Sequence, residues 1–189
     1  KLVTHHWGAN WNKGFDTYVK IDEMLDSQEW KNIIEFTYIG NLPKNFKFNN
    51  TNVVKPLSGK SLSDKIKENH IYVTGSLYEP SGNHHIEGAQ CGLPLLYLDS
   101  GGTPEYCEGF GLNYETHNFQ LKLKEIIDQY DYYENNMINY PFNANKMCSE
   151  YLELFEKIIK DKKNIIVTRP DSLYLDNIFS RIFYNLMRK

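Results

Sequence analysis

The stretch that decides the fold runs from Gly75 to Cys107 and reads GSLYEPSGNHHIEGAQCGLPLLYLDSGGTPEYC. It follows the apolar run His70–Gly75, which predicts a strand. Within the stretch, the pattern predicts a short helix near Asn83–Cys91, ended by Gly92–Pro94, and then a strand at Leu95–Leu98. A strand, a helix and a second strand in this order are typical of a βαβ unit, in which the two strands are parallel.

The rest of the chain alternates in the same way between short β-rich runs and helical periodicity. This alternation predicts an α/β fold, a Rossmann-like doubly wound parallel sheet with helices on both faces. We expect a domain over residues 1–163 and a strand and helix extension over residues 164–189. The other predicted strands are Leu2–His6, Asn32–Gly40, Asn52–Lys55 and Asn164–Thr168, and the helices are Phe15–Leu25, Ser61–Asn69, Asn118–Tyr130, Ala144–Lys160 and Asp171–Met187.

Composition narrows the class of protein. The chain has 189 residues, of which 41% are hydrophobic and 24% charged, values typical of a folded globular domain. Its net charge of -3 gives no basic surface for nucleic acid. Cys91, Cys107 and Cys148 are odd in number and lack CxxC spacing, which favours a reducing compartment without a disulfide framework. No apolar run is long enough to span a bilayer, and there is no signal-peptide pattern.

These observations predict a cytoplasmic protein, with the membrane surface as an alternative location for the full-length chain. The sequence opens at Lys1 directly on an apolar stretch. We interpret this start as a cut that separates the chain from an N-terminal partner domain.

In a parallel sheet, ligands bind at the carboxyl ends of the strands, where the connecting loops gather. The loop after His70–Gly75 leads into the predicted helix through Gly82, Asn83 and His84. A helix entry offers free N–H groups and a partial positive charge, which suit a phosphate or diphosphate. About one turn further in lies Glu87, whose carboxylate can accept two hydrogen bonds from a ribose cis-diol.

The decisive stretch resembles the C-terminal signature of family 4 glycosyltransferases, which consists of Glu, seven residues, Glu, a helix of small residues and Gly-x-Pro. Here it stands as Glu79 and Glu87, followed by Gly92-Leu93-Pro94. The downstream Gly102-Thr103-Pro104-Glu105 is similar to the family's Gly-x-Pro-Glu, and Asn12–Asp16 to its Lys-Gly loop. The NVVKPLSGKSLSDKI segment also resembles the family's strand, turn and helix before the first Glu.

The resemblance implies one half of a GT-B architecture, and specifically the donor-binding domain of a retaining, metal-independent glycosyltransferase. The donor would be a nucleoside-diphosphate sugar, with UDP and GDP both open, and no further cofactor is implied. The acceptor would be a glycan, lipid or protein, held by the N-terminal domain. A fragment of this kind is expected to bind donor with little or no transfer activity of its own.

The resemblance also implies residue roles. Glu79 would contact the donor sugar and Lys13 would neutralise the leaving diphosphate, so these two are the catalytic candidates. Glu87 would hold the ribose. The other donor-binding candidates line the diphosphate, the sugar or the nucleobase, and they are Gly8, Asn10, Pro56, Leu57, Gly82, Asn83, His84, Gly101, Gly102, Thr103 and Glu105. The family's Arg before the Lys is absent, and His5, His6 or Asn10 are open as substitutes.

Other functions remain open. A non-catalytic nucleotide-sugar-binding module or another GT-B-like enzyme, such as a nucleotide-sugar epimerase, would share these features. A dinucleotide-binding Rossmann domain is disfavoured because no GxGxxG follows the first strand. The pairs His5-His6 and His84-His85 suggest a metal, but neighbouring residues on a helix or strand point apart, so we expect at most one histidine of each pair to converge and no metal site.

Overall fold

The computed structural model describes residues 1–162 and 164. Six parallel strands form one sheet in the order β3-β2-β1-β4-β5-β6. The strands are β1 (Leu2–His6), β2 (Phe36–Gly40), β3 (Asn52–Val54), β4 (Ile71–Thr74), β5 (Leu95–Leu98) and β6 (Gly111–Tyr114). The helices are α1 (Phe15–Met24), α2 (Gly59–Lys67), α3 (Asn83–Gln90), α4 (Thr103–Cys107), α5 (Phe119–Asp128), α6 (Tyr130–Asn136) and α7 (Ala144–Lys160).

Both faces of the sheet are covered, because the strands are apolar on both sides. Alternate residues of β1 enter different cores, with Leu2 in one and Val3 in the other. Helices α1 and α5 complete the first core, while α2, α3 and α4 complete the second. The predicted doubly wound parallel sheet with helices on both faces is therefore confirmed.

Three local predictions were incomplete. The strand expected from Asn32 begins only at Phe36, since Asn32 adopts a left-handed φ of 67° and Ile34 N donates to Trp30 O in a turn. The loop after β5 contains α4 and leads to β6, both of which were missed. Only 4 residues long and polar at Asn113, β6 gives a weak apolar signal. The region after Asn118 forms two helices, α5 and α6.

Helix α3 approaches β4 closely. A Cβ on Gly88 would collide with the ring of Tyr72, a residue of β4, so only glycine lets the helix lie at this distance. This contact fixes where the beginning of α3 sits relative to the end of β4.

The chain divides into two compact units, residues 1–143 and 144–189. The second begins with α7, a helix whose apolar side chains, among them Tyr151 and Phe155, are exposed within the described residues. The predicted extension, with its strand Asn164–Thr168 and helix Asp171–Met187, lies outside the described residues apart from Asn164. No described helix combines the length and the apolar character that crossing a bilayer requires.

Candidate functional site

The candidate site lies where the strand order of the sheet reverses. Strands β1 and β4 are neighbours, but from β1 the chain continues to β2 and β3 on one side, and from β4 to β5 and β6 on the other. The connections after β1 and β4 therefore lead to opposite sides, and the carboxyl edge between these strands is where a doubly wound sheet has its crevice. Ligands of doubly wound sheets bind at such a switch point.

A hydrogen bond joins the two sides of this crevice. Nε2 of His5, on β1, lies 2.7 Å from Oε2 of Glu87, on α3. The His5 side chain is 5% exposed, whereas that of Glu87 is 49% exposed. The carboxylate is thus held from below by a buried group and open to solvent above, as a ligand-binding carboxylate has to be.

An ion pair makes a second link across the crevice. Nζ of Lys13 lies 2.7 Å from Oε2 of Glu79, and the Glu79 side chain is 11% exposed. The backbone ties the same two loops together, because Leu77 N donates to Asn12 O over 2.8 Å. The structure therefore brings the two catalytic candidates into direct contact, which the sequence did not predict.

The entry of α3 fits an anion. Gly82 is the N-cap residue, and no side chain caps the helix. A Cβ on Gly82 would lie 2.7 Å from the ring of His84 and 2.8 Å from Cγ of Glu79, so a larger residue would fill this corner. Uncapped N–H groups at the start of a helix attract phosphate oxygens. Asn83 at this entry is exposed and His84 is buried.

The loop after β5 packs directly on the Glu79 segment. Gly102 N donates to Glu79 O over 2.7 Å, and Gly101 adopts a left-handed φ of 65°. A Cβ on Gly101 would collide with the Glu79 carbonyl oxygen. Thr103 is buried at the start of α4, while Glu105 is exposed. Both glycines thus allow the loop after β5 to lie close to the backbone of the Glu79 segment.

The remaining donor-binding candidates lie in two places. Gly8 packs beside the side chains of Asn10 and Lys13 in the loop after β1. Pro56 and Leu57 line a shallow depression that also includes His5, His6 and Trp7. This depression joins the loop after β3 to the end of β1, next to the His5–Glu87 link.

Four buried histidines pack beneath the crevice. His5 and His6 point to opposite faces of the sheet, as expected for neighbours on a strand, because His5 contacts Tyr72 in one core and His6 contacts Tyr18 in the other. The ring of His84 lies 4.5 Å from that of His6, 6.4 Å from that of His5 and 4.8 Å from that of His85, between centroids. His84 belongs to the first turn of α3, which sits over the end of β1, so its ring reaches both histidines there. Among the described residues, no histidine, cysteine or acidic cluster has the arrangement of a metal site.

Three of these histidines, His6, His84 and His85, are kept neutral by their surroundings. Burial lowers the pKa of His6 and of His84 well below the usual range, and the neighbouring histidines lower both further. Burial also lowers the pKa of His85 to about 4, although the charge of Glu79 opposes the change. Oγ1 of Thr74 bonds Nε2 of His84 over 2.8 Å.

Several polar residues of the site gave no signal in the sequence. Tyr72 lies inside an apolar strand and would be assigned to the core, yet its hydroxyl contacts Nδ1 of His5 over 2.9 Å. Within the described part of the chain, the hydroxyl of Ser76 and both ring nitrogens of His85 are buried without a hydrogen-bond partner. A polar side chain in a run that otherwise predicts a buried strand is the signal that could have identified Tyr72.

Comparisons with known proteins show what this fold is similar to. No family model and no curated protein sequence matches the chain. Among solved structures, the pneumococcal O-GlcNAc transferase GtfA, in complex with UDP and GlcNAc, matches with a TM-score of 0.62 and 14% identity over 84% of this chain. Sucrose-phosphate synthase from Thermosynechococcus elongatus matches with a TM-score of 0.62 and 16% identity, also over 84%.

A putative UDP-N-acetylglucosamine 2-epimerase from Listeria monocytogenes matches with a TM-score of 0.54 and 17% identity over 83% of this chain. The chain spans 35%, 45% and 46% of the lengths of these three proteins, in the same order. At these identities the likeness shows the fold, a Rossmann-like α/β domain. The proteins that share it are sugar-transferring enzymes and a sugar-nucleotide epimerase by name.

Proposed function

We propose that this chain is the nucleotide-sugar-binding domain of a glycosyltransferase with GT-B architecture. It would bind a nucleoside-diphosphate sugar and support transfer of the sugar to an acceptor hydroxyl, with retention of the anomeric configuration and without a metal ion. The acceptor, a glycan, lipid or protein, would be held by a further domain. The single observation that carries the proposal is the position of Glu87, half exposed at the switch point and one turn inside an uncapped helix entry.

The chemistry of the crevice supports a sugar nucleotide. Glu87 can accept hydrogen bonds from both ribose hydroxyls while the N–H groups at Asn83 and His84 face the diphosphate. Lys13 adds the positive charge that a departing nucleoside diphosphate needs. On binding, the diphosphate would share Lys13 with Glu79, and Glu79 could then turn to the hydroxyls of the sugar.

Pro56 and Leu57 lie beside the end of β1, next to His5, which places apolar side chains near a ribose held by Glu87. We assign the depression that they line to the nucleobase. Gly8 and Asn10 would contact the diphosphate from the loop after β1, and Gly101, Gly102, Thr103 and Glu105 would border the sugar.

Calorimetry with UDP, GDP and ADP tests this function directly. We expect one of the three to bind, and Glu87→Ala to lose about 1.5–3 kcal/mol, the range for hydrogen bonds to a charged group. That is on the order of 10–100-fold in affinity. Glu125→Ala, which removes a partly buried carboxylate paired with Lys122 on α5, should leave binding unchanged. Unaltered affinity in Glu87→Ala would refute the assignment of this residue.

Two other functions share the same fold. The similarity to a putative UDP-N-acetylglucosamine 2-epimerase supports an enzyme that alters the sugar rather than transferring it. A non-catalytic nucleotide-sugar-binding module would bind donor without turnover. Product analysis with the protein in its full natural length separates the three. A transferred sugar supports the proposal, an epimerised sugar nucleotide supports the first alternative, and no product supports the second.

A further inference from the structure

A chain of hydrogen bonds runs from the core of the sheet to the crevice through Tyr72, His5 and Glu87. The Tyr72 hydroxyl lies 2.9 Å from Nδ1 of His5, and Nε2 of His5 lies 2.7 Å from Oε2 of Glu87. Tyr72 and His5 are 0% and 4% exposed. One buried imidazole therefore connects a fully buried hydroxyl to a half-exposed carboxylate.

The contacts of Tyr72 favour one position for the proton of the His5 ring. The Tyr72 hydroxyl accepts a hydrogen bond from the His5 backbone N–H over 3.2 Å, so its own proton is left to donate. The two acceptors are Nδ1 of His5 at 2.9 Å and the His5 carbonyl oxygen at 3.5 Å, and the shorter contact favours Nδ1. Burial raises the pKa of Tyr72 well above its usual range, which keeps that proton in place. With Nδ1 accepting, His5 carries its hydrogen on Nε2 and donates it to Glu87.

The remaining oxygen of Glu87 is free for a ligand. Oε2 is occupied by His5, while Oε1 accepts no hydrogen bond from any described residue. A glutamate on a helix surface normally samples several rotamers, and fixing it during binding costs conformational entropy. A carboxylate that is already held by one oxygen loses less freedom when the other binds.

We propose that His5 is a positioning residue, oriented by Tyr72, that holds Glu87 in the conformation in which it receives the ribose hydroxyls. This rests on the proposed function, since it needs a ribose-containing ligand at Glu87. The role assigned to His5 is to orient the acidic partner on α3.

The first experiment needs no ligand. In the 189-residue chain labelled with 15N-histidine, we expect the His5 ring to carry a proton on Nε2 and none on Nδ1. The signal is assigned by its loss in His5→Gln. Tyr72→Phe should shift the His5 ring signals and change the ratio of tautomers, and Glu87→Gln should shift the Nε2 signal. A proton on Nδ1 of His5, or signals that ignore both substitutions, would overturn the proposal.

The second experiment compares ligands that differ only in the ribose hydroxyls. Calorimetry measures the binding of UDP and of 2′,3′-dideoxy-UDP to wild type, His5→Leu and His5→Gln. Where the wild type prefers GDP, the pair is GDP and 2′,3′-dideoxy-GDP. We expect His5→Leu to weaken UDP binding about tenfold and dideoxy-UDP binding less than about twofold. His5→Gln should recover most of the loss, because its amide can donate to Glu87 from nearly the same position.

The outcomes distinguish failure of the positioning role of His5 from failure of the proposed function. Equal losses for both ligands in His5→Leu mean that His5 acts only on the fold, and they overturn the positioning role while the proposed function stands. If His5→Leu does not fold, Tyr72→Phe provides the same comparison, with an expected threefold to fivefold loss restricted to UDP, on the order of one weakened hydrogen bond. Failure of the wild type to bind UDP, GDP or ADP overturns the proposed function itself, and the positioning role for ribose with it.

Discussion

Lys13 and Glu79 are 66 residues apart in sequence, yet Nζ of one lies 2.7 Å from Oε2 of the other. One follows β1 and the other follows β4, so the pair bridges the two loops that form the crevice. Because the Glu79 side chain is 11% exposed, water screens its negative charge poorly. The ammonium group of Lys13 therefore supplies the stabilisation that this charge needs.

Removing Lys13 should therefore harm diphosphate binding in two ways. Lys13→Met takes away a positive charge and leaves Glu79 unpaired beside the expected phosphates. We expect at least about a tenfold loss of UDP affinity and a smaller loss for uridine, because the nucleoside carries no charge. Calorimetry with both ligands measures the difference. Lys124→Met, at an exposed lysine paired with Asp128 on α5, is the matched control. Equal losses for UDP and uridine would remove Lys13 from its proposed role.

The glycine at 101 should be more sensitive to substitution than another glycine with similar backbone angles. Gly101 and Gly59 have φ of 65° and 54°, but a Cβ meets the Glu79 carbonyl only at the first, and meets nothing within 4 Å at the second. We expect Gly59→Ala to cost about 1–2 kcal/mol of unfolding free energy from the left-handed backbone alone. Gly101→Ala should cost a further ~1–3 kcal/mol from the collision. Urea denaturation of both variants tests this, and equal costs would contradict it.

Asp22 should stabilise the fold only while it is ionised. Its carboxylate accepts hydrogen bonds from the amides of Asn49, Asn50 and Thr51 and from the Thr51 hydroxyl. Burial alone would raise its pKa, but these hydrogen bonds outweigh burial, and the pKa is lowered. A lowered pKa means that the stabilisation is complete above the unfolded value of about 3.9 and is lost as the pH falls through the folded value.

Asp22→Asn should accordingly lose about 2–3 kcal/mol of unfolding free energy at pH 7, since the hydrogen bonds to a charged acceptor are weakened. The loss should begin to shrink below about pH 4, where the unfolded chain takes up a proton at Asp22, and it should become small once the pH falls through the lowered pKa of the folded carboxylate. Denaturation curves at several pH values measure this. Asp26→Asn, at an exposed residue, is the control. A loss that stays constant down to pH 2 would show that the charge of Asp22 is not what stabilises the loop.

The buried histidines should make the domain sensitive to mild acid. Burial lowers the pKa of His6 and His84, so the unfolded chain takes up protons at each of them below its usual value of about 6.5, while the folded chain does not. Stability should fall as the pH decreases from about 6.5, by about 1.4 kcal/mol per pH unit for each such histidine. His84→Gln should reduce this slope by one histidine's share, and His117→Gln, at an exposed residue, should not. A slope unchanged by His84→Gln would disprove this account.

Much of the fold could be predicted because apolar periodicity is a local signal. Both β1 and β4 are short apolar runs next to glycine-rich loops, and both were placed within one or two residues. The signal failed where polarity or length weakened it, as in β6 with its exposed Asn113, and where backbone geometry intervened, as at Asn32 with its positive φ.

The candidate site was selected from sequence motifs, and its residue-to-residue contacts could not be predicted in that way. The segments that hold Lys13 and Glu87 were selected because motifs concentrate polar residues in short stretches. The partners of these residues could not be predicted, since Lys13–Glu79 and His5–Glu87 join positions 66 and 82 residues apart and depend on the order of the strands. The same limit explains the histidines. The contacts of His84 with His5 and His6 depend on where α3 begins relative to β1, and residue spacing within one strand or helix does not predict that position.

The loop after β3 differs from the loops after β1 and β4 in the kind of contact that it makes with neighbouring segments. Pro56 and Leu57 border the depression through apolar surface, whereas the loops after β1 and β4 are joined by an ion pair and hydrogen bonds. Substitutions at these two positions leave the Lys13–Glu79 pair untouched, although Leu57 also packs against the second core. Under the proposed function, a lineage could change the base it accepts at these positions while keeping its diphosphate site, and directed evolution of base preference could begin there.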